Sequence, residues 1–379
     1  MVSVRRMSNS RGVWGMAMAA ACVLASACDR AGSGSVGHTL KPVATFGGVG
    51  LSPGQFAYPR AIASDGRDLW IIDKMARVQR IDPESGRCLE IWRMPEWKNG
   101  KPTGVSVFCG DPPLLFVPDT HYQRVVVYAI EPREALIARA GGKPVEKTTP
   151  EPLFSFGKRG KGLGEFIYPT DIAFVPTSDG KRPARVYVAE YGDNDRISIW
   201  EPDAAGAYQP KGTFGTWGSG EDPGAIEFSR PQAVAVDAKR AELLVADSSN
   251  HRIGRFTLEG ALVKWIGSRE TAGVSNGGEG ISSCAEVEGF NYPYSVEPLG
   301  DGTALVLEMG GARVRQIDLD SGATVNLWGA RGSGVGQLAS PWGMGIAGGR
   351  VYILDSGNNR VVGMDLPRPG NKIAIGGGQ

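Results

Sequence analysis

Apolar residues in this chain come in short runs rich in Val, Ile, Leu and Trp, broken by clusters of Gly, Pro, Asp, Asn and Ser. Six of the runs end in an acid: "LWIID" at Asp73, "LFVPD" at Asp119, "VYVAE" at Glu190, "LLVAD" at Asp247, "LVLE" at Glu308 and "VYILD" at Asp355. Short β-branched runs bounded by turn residues predict strands. Between 14 and 21 residues before each acid stands a proline that opens another apolar run: "YPRAI" from 58, "KPTGV" from 101, "YPTDI" from 168, "RPQAV" from 230, "YPYSV" from 292 and "SPWGM" from 340. Proline as the first residue of a strand costs the sheet no ladder N–H. Each acid is followed by a polar turn and then by an arginine leading into a third run, at Arg77, Arg124, Arg196, Arg252, Arg313 and Arg360. A fourth run closes most units, as in "LEIW", "LFSFG", "GTFGTWG", "LVKWIG" and "TVNLWG". Four strands per unit, repeated six times, predict an all-β protein built as a radial array of four-stranded antiparallel sheets. The prolines lie 43, 67, 62, 62 and 48 residues apart, so the excess over a minimal unit belongs to loops.

The ends of the pattern complement each other. "PVATFG" at 42–47 reads as a fourth strand with no predecessors, and the sixth unit stops after its third strand near Leu366. The amino-terminal strand is therefore expected to complete the last unit and close the ring, leaving no open edge. "NKIAI" at 371–375 competes for the same slot.

Composition agrees and narrows the partners. With 55 Gly and 25 Pro the chain is turn-rich and helices should be rare, one exception being "REALIARA" at 133–140. Lys and Arg total 41 against 40 Asp and Glu, so no charge excess points to nucleic acid. Residues 1–27 read as a signal peptide, with Arg5, Arg6 and Arg11 ahead of an apolar stretch from Val13 to Leu24. "LASAC" resembles the end of a bacterial lipoprotein signal, which implies lipidation of Cys28, a flexible tether over 28–41 and a single domain over 42–379. That places the domain across the inner membrane, in the periplasm or outside the cell, with the lipid as its contact with the bilayer. No later run is long enough to span one.

From about residue 43 to 366 the units resemble the six-bladed β-propellers made of NHL repeats, through "GxF-x-x-P", then Asp-x4-Arg and a β-branched residue, then "φ-x-φ-G". The six acid–arginine turns need no ligand to explain them. The acid can cap turn N–H groups and the arginine can reach it or the next blade's carbonyls, a structural staple. Glu190 and Glu308, one methylene longer than Asp, are the departures that could be free for another role.

In a propeller these turns and the proline lead-ins share one face, and function is expected where that face varies. Tyr58, Arg60, Tyr168, Asp171, Arg230, Gln232, Tyr292, Tyr294 and Trp342 should surround the mouth of the central channel as a ligand site, with His121, Tyr122, Tyr191, Asp193, Asn250, His251 and Asn358 in the turns beside it. Aromatic and hydrogen-bonding residues so placed suit a polar ligand, such as a carbohydrate, a peptide or a protein segment. The long connection 268–289 could form a lid; 131–150 and 175–185 fall on the opposite face. Related propellers include a zinc-dependent amidating lyase and calcium-dependent lactonases. With only His38, His121 and His251 in the chain, a three-histidine zinc site is not expected. A calcium site could be assembled from Asp171, Glu190 and Glu308. Cys88 and Cys109 could pair, and Cys284 would remain as an odd thiol. The reading is a monomeric, envelope-tethered binding or scaffolding module, with a metal-assisted hydrolase or lyase as the alternative.

Overall fold

A computed structural model describes residues 37–38, 40–98, 101–141, 143–147, 149–220, 222, 224–268 and 289–367. The expected signal and Cys28, residues 269–288 of the expected lid with Cys284, and "NKIAI" lie outside them.

Six four-stranded antiparallel sheets follow one another as the blades of a propeller. Blade 1 holds Pro59–Ser64, Leu69–Asp73, Arg77–Ile81 and Cys88–Arg93, from inner to outer strand. Blade 2 holds Ser106–Phe108, Leu114–Asp119, Arg124–Ala129 and Phe154–Phe156. Blade 3 holds Tyr168–Pro176, Pro183–Tyr191, Arg196–Pro202 and Tyr208–Phe214. Blade 4 holds Pro231–Asp237, Glu242–Asp247, Arg252–Thr257 and Leu262–Ile266. Blade 5 holds Pro293–Pro298, Thr303–Glu308, Arg313–Asp318 and Thr324–Trp328. In blade 6, Gly343–Ala347, Arg350–Asp355 and Arg360–Asp365 are completed by Ala44–Gly47, which runs antiparallel to Arg360–Asp365 with Ala44 opposite Gly363. The amino-terminal strand closes the ring.

The core is divided among the interfaces between blades. One buried cluster lies at each: Ile72, Val78 and Trp92 meet Val117 and Tyr128 between blades 1 and 2, and Leu244 and Ile253 meet Val306 and Ile317 between blades 4 and 5. Face-to-face sheets bury both sides of the central strands, so those strands are continuously apolar instead of alternating.

The connections entering blades 3, 4 and 6 share one form. After the outer strand a glycine with positive φ turns the chain, a two-residue ribbon forms, and an aromatic or leucine folds back under the turn. Gly157 (φ +84°) covers Phe166 and Gly215 (φ +85°) covers Phe228, in both cases with no room for a Cβ. Gly157→Ala is expected to cost well over 1 kcal/mol, through φ strain and the clash with the fully buried Phe166 ring. A thermal melt checks this, and an unchanged Tm would show that the turn relaxes freely.

Two features of the edges were not legible. Residues 131–147 cover the edge of blade 1: the helix Arg133–Ala140 packs against it, and Val145–Glu146 adds a parallel strand to its outer edge. Charge holds this cover in place, with Arg133 paired to Asp68, Lys147 to Glu90, and Arg80 donating to the Glu131 carbonyl at 2.7 Å. Gly37–His38 extends the outer edge of blade 5 in the same way. The expected Cys88–Cys109 disulfide is not formed. Both thiols are free, Cys88 buried in the core between blades 6 and 1 and Cys109 exposed beyond the inner strand of blade 2.

Candidate functional site at the channel mouth

All six acid–arginine pairs close. Arg77 Nε lies 3.0 Å from Asp73, Arg124 Nε 3.1 Å from Asp119, Arg196 Nε 2.7 Å from Glu190, Arg252 Nε 2.9 Å from Asp247, Arg313 Nε 2.9 Å from Glu308 and Arg360 Nε 2.8 Å from Asp355. The carboxylates are fully buried. In five blades each also accepts a backbone N–H from the connection entering its own blade, at Ala57, Ile167, Ser229, Asn291 and Ala339. Several of the arginines donate to carbonyls of that same connection, as Arg252 does to Gly220 and Glu227. The arginines thus reach their own acids, one of the two expected contacts, and tie each blade to its own lead-in rather than to the next blade's carbonyls. Blade 2 is the exception: Asp119 Oδ1 is buried without a partner among the described residues, and burial pushes its carboxyl up to about 6.

Glu190 and Glu308 are not freed by their extra methylene. It carries the carboxylate along the third strand to a second donor, Ser198 Oγ at 3.5 Å from Glu190 and the buried Arg315 Nε at 2.7 Å from Glu308. Both acids are therefore committed to their own blades, and the calcium set Asp171, Glu190 and Glu308 is not assembled. Among the described residues no group of three or more His, Cys, Asp or Glu is gathered for a metal.

The lead-in residues converge around a cavity of about 410 Å³ on the axis, whose lining includes Arg60, Thr103, Thr170, Gln232, Tyr294 and Trp342. Tyr58, Arg230 and Tyr292 precede the strand prolines in the left-handed region, at φ 54°, 58° and 50°. Such a conformation costs a bulky residue on the order of 1–2 kcal/mol, so the surroundings must hold it. They do so by a device the sequence reading missed. The residue just before the staple arginine of one blade accepts the backbone N–H of the next blade's lead-in: Asn359 from Tyr58, Asp195 from Arg230 and His251 from Tyr292. His251 is thereby a buried scaffold residue, its Nδ1 also 3.2 Å from the Phe290 carbonyl.

These lead-ins build an aromatic cage around two cations. Arg60 sits over the Trp342 ring at 4.9 Å and Tyr58 at 5.9 Å; Arg230 sits over Tyr191 at 5.1 Å and Tyr294 at 5.7 Å. Trp342 meets Tyr58 and Tyr294 edge-on, and Tyr168 packs on Tyr191 and His121. Neither arginine has a carboxylate partner among the described residues, and Arg60 Nε is buried without an acceptor. Burial above all, with the like charge of Arg230, lowers the Arg60 pKa, yet a guanidinium stays charged at neutral pH. Most other partly buried arginines in the fold are matched to acids; these two lie against ring faces, and Arg230 Nε donates to Gln232 Oε1 at 3.3 Å.

Asp171 stands below the mouth, not at it. Its Oδ2 accepts the Val234 N–H of the neighbouring inner strand at 3.0 Å, and Oδ1 lies 3.4 Å from Ser106 Oγ. Deeper still, Glu297 lines the same cavity, a residue not singled out from the sequence. Burial pushes Asp171 up to about 7; burial, together with the Asp171 charge, pushes Glu297 up to about 8. A carboxyl whose folded pKa is raised above the unfolded value near 4 keeps its full contribution to stability below that value and loses it as pH rises toward the folded pKa. Glu297→Gln is therefore expected to be more stable than the parent at pH 9 and to show a flatter decline between pH 6 and 9. Parallel curves for the two proteins would place Glu297 in contact with bulk water.

Comparison with known proteins agrees with the fold. Residues 228–256, which span the Phe228 lead-in, the Asp247–Arg252 pair and the third strand of blade 4, match the NHL repeat. No curated protein matches the sequence. Among solved structures the chain is similar to a protein of unknown function from Bacteroides thetaiotaomicron, with a TM-score of 0.54 and 14% identity over 87% of this chain and 74% of that one. It is also similar to a streptogramin B lyase, with a TM-score of 0.50 and 13% identity over 86% of this chain and 97% of that one. At such identities the likeness is one of fold. The chain is a six-bladed β-propeller in which residues 228–256 match the NHL repeat.

Proposed function

We propose that the protein is a binding module whose mouth face captures an anionic group of a ligand or protein partner. The observation that carries this reading is the pair Arg60 and Arg230, charged, caged by Trp342, Tyr58, Tyr191 and Tyr294, and unmatched by any acid among the described residues. A carboxylate, sulfonate or phosphate would supply the missing counter-charge, and the ring faces would cover an apolar or sugar-like body. The rim adds area for a larger partner. Exposed apolar side chains stand on the interblade connections of this face, among them Val49 (77% exposed), Trp217 (66%) and Val335 (86%).

A thermal-shift series tests the anion preference. Hexanoate and hexanesulfonate are expected to raise Tm in a saturable way, while 1-hexanol at equal concentration does not. Equal shifts from all three would reduce the mouth to a greasy pocket. The metal-assisted hydrolase or lyase reading stays the alternative, and among the described residues no group of three or more His, Cys, Asp or Glu is gathered to hold its metal.

The tether belongs to the same proposal: with Cys28 lipidated, the module works at a membrane surface in the envelope. Incorporation of labelled fatty acid is expected in the full chain expressed in a bacterial host and lost in Cys28→Ala; labelling of both would refute the site.

A further inference from the structure

Below the cage the cavity changes sign. Its charged lining residues are Arg60 at the mouth and Asp171 and Glu297 further in; Ala, Val, Ile, Gly, Ser and Thr make up most of the remaining lining. Among the described residues no lysine or arginine lines the deep part. Glu297 accepts no hydrogen bond from the described residues, and Asp171, held by the Val234 N–H and the Ser106 hydroxyl, has no cation beside it among them. Among the described residues, one continuous space thus holds a cation without an acid at its mouth and carboxyls without a cation at depth. Tyr294 and Glu297 lie on the same inner strand three residues apart with a bulge at Tyr294, which sets the two levels at most about 10 Å apart at ~3.3 Å per residue.

We propose that the cavity takes an elongated zwitterion, its carboxylate or other anion at Arg60 and Arg230 and its ammonium at depth beside Glu297 and Asp171. This rests on the mouth being an anion site and adds the second, inner charge. The orientation follows from electrostatics: each end of such a ligand meets the charge left unmatched at its own level, and the reversed pose places like charges together at both. A monoanion satisfies only the mouth. The titratable groups around the inner level are Asp171 from blade 3 and Glu297 and Tyr294 from blade 5, with Arg60 of blade 1 above them. The raised carboxyls support the arrangement, because an arriving ammonium would hold them ionised and so release protons to the buffer.

The test compares octanoate with 8-aminooctanoate, whose flexible chain lets its charges span that distance, by titration calorimetry at pH 7.5 in two buffers of different ionisation enthalpy. The expected result is at least a tenfold tighter binding of 8-aminooctanoate, accompanied by proton release that octanoate does not produce. In Glu297→Gln the preference and the proton release should shrink together while octanoate binds as before. Octanoate binding with no preference for 8-aminooctanoate would overturn the inner site and leave the mouth site standing. Binding of neither would overturn both. A preference that survives in the Glu297→Gln/Asp171→Asn double variant, with its melt intact, would also overturn the inner site, because another group would then hold the ammonium.

Discussion

Replacing Arg252 by Ala is expected to lower stability by about 3–5 kcal/mol, a fall in Tm on the order of 10 °C, without touching the channel. Its guanidinium is 2.9 Å from Asp247, donates to the carbonyls of Gly220 and Glu227, and lies 3.5 Å from the Trp265 ring centroid. Truncation leaves Asp247 buried, with the Ser229 N–H and Asn250 amide as its remaining donors. It also releases the connection that enters blade 4. The deficit should depend on pH. Burial already pushes Asp247 up to about 6, against the pull of Arg252. Without Arg252 its pKa rises further, so the variant keeps a proton to higher pH and loses stability over the range where the parent's aspartate is already ionised. The deficit should therefore be larger at pH 8 than at pH 5. Urea melts at the two pH values check this; a loss under 1 kcal/mol, or one independent of pH, would mean that the pair is ornamental.

The second large effect is on binding. Arg60→Ala combined with Arg230→Ala should weaken capture of a carboxylate or sulfonate by 100-fold or more, because each charge-assisted hydrogen bond contributes about 1.5–3 kcal/mol. Tm should hold or rise slightly, since the change removes two like charges that have no acid beside them and leaves the strand prolines in place. This separates the two kinds of arginine in the fold. A staple variant loses stability with the mouth intact, whereas a mouth variant loses affinity with the fold intact. Should the double variant melt like Arg252→Ala, Arg60 and Arg230 are props for the inner strands.

The difference between these arginines shows where the sequence was readable. Every staple pair was visible as a spacing, because a bond between residues four to six positions apart is written locally, and six repetitions made it legible. The blade order and the closing strand at Ala44–Gly47 were legible for the same reason. Glu190 and Glu308 were misread because their second partners, Ser198 and Arg315, lie on the third strand at a reach that only side-chain geometry reveals. At the mouth, Tyr58, Arg60, Arg230, Tyr294 and Trp342 could be named from their place after or before a strand proline. That Arg60 and Arg230 lack acids among the described residues could not, since it depends on residues from several blades. Glu297 was hidden by its strand: in "PYSVEP" an acid can face the neighbouring blade or the axis, and periodicity alone does not choose. The edge strand Val145–Glu146 is too short to carry any pattern.

The central claim is that the caged arginines form an anion site. Titration calorimetry of hexanesulfonate into the parent and into the Arg60→Ala/Arg230→Ala variant tests it most directly. The account predicts saturable one-to-one binding to the parent and no measurable heat of binding to a variant that melts at the parent's temperature; equal binding to both, or binding to neither, would contradict it.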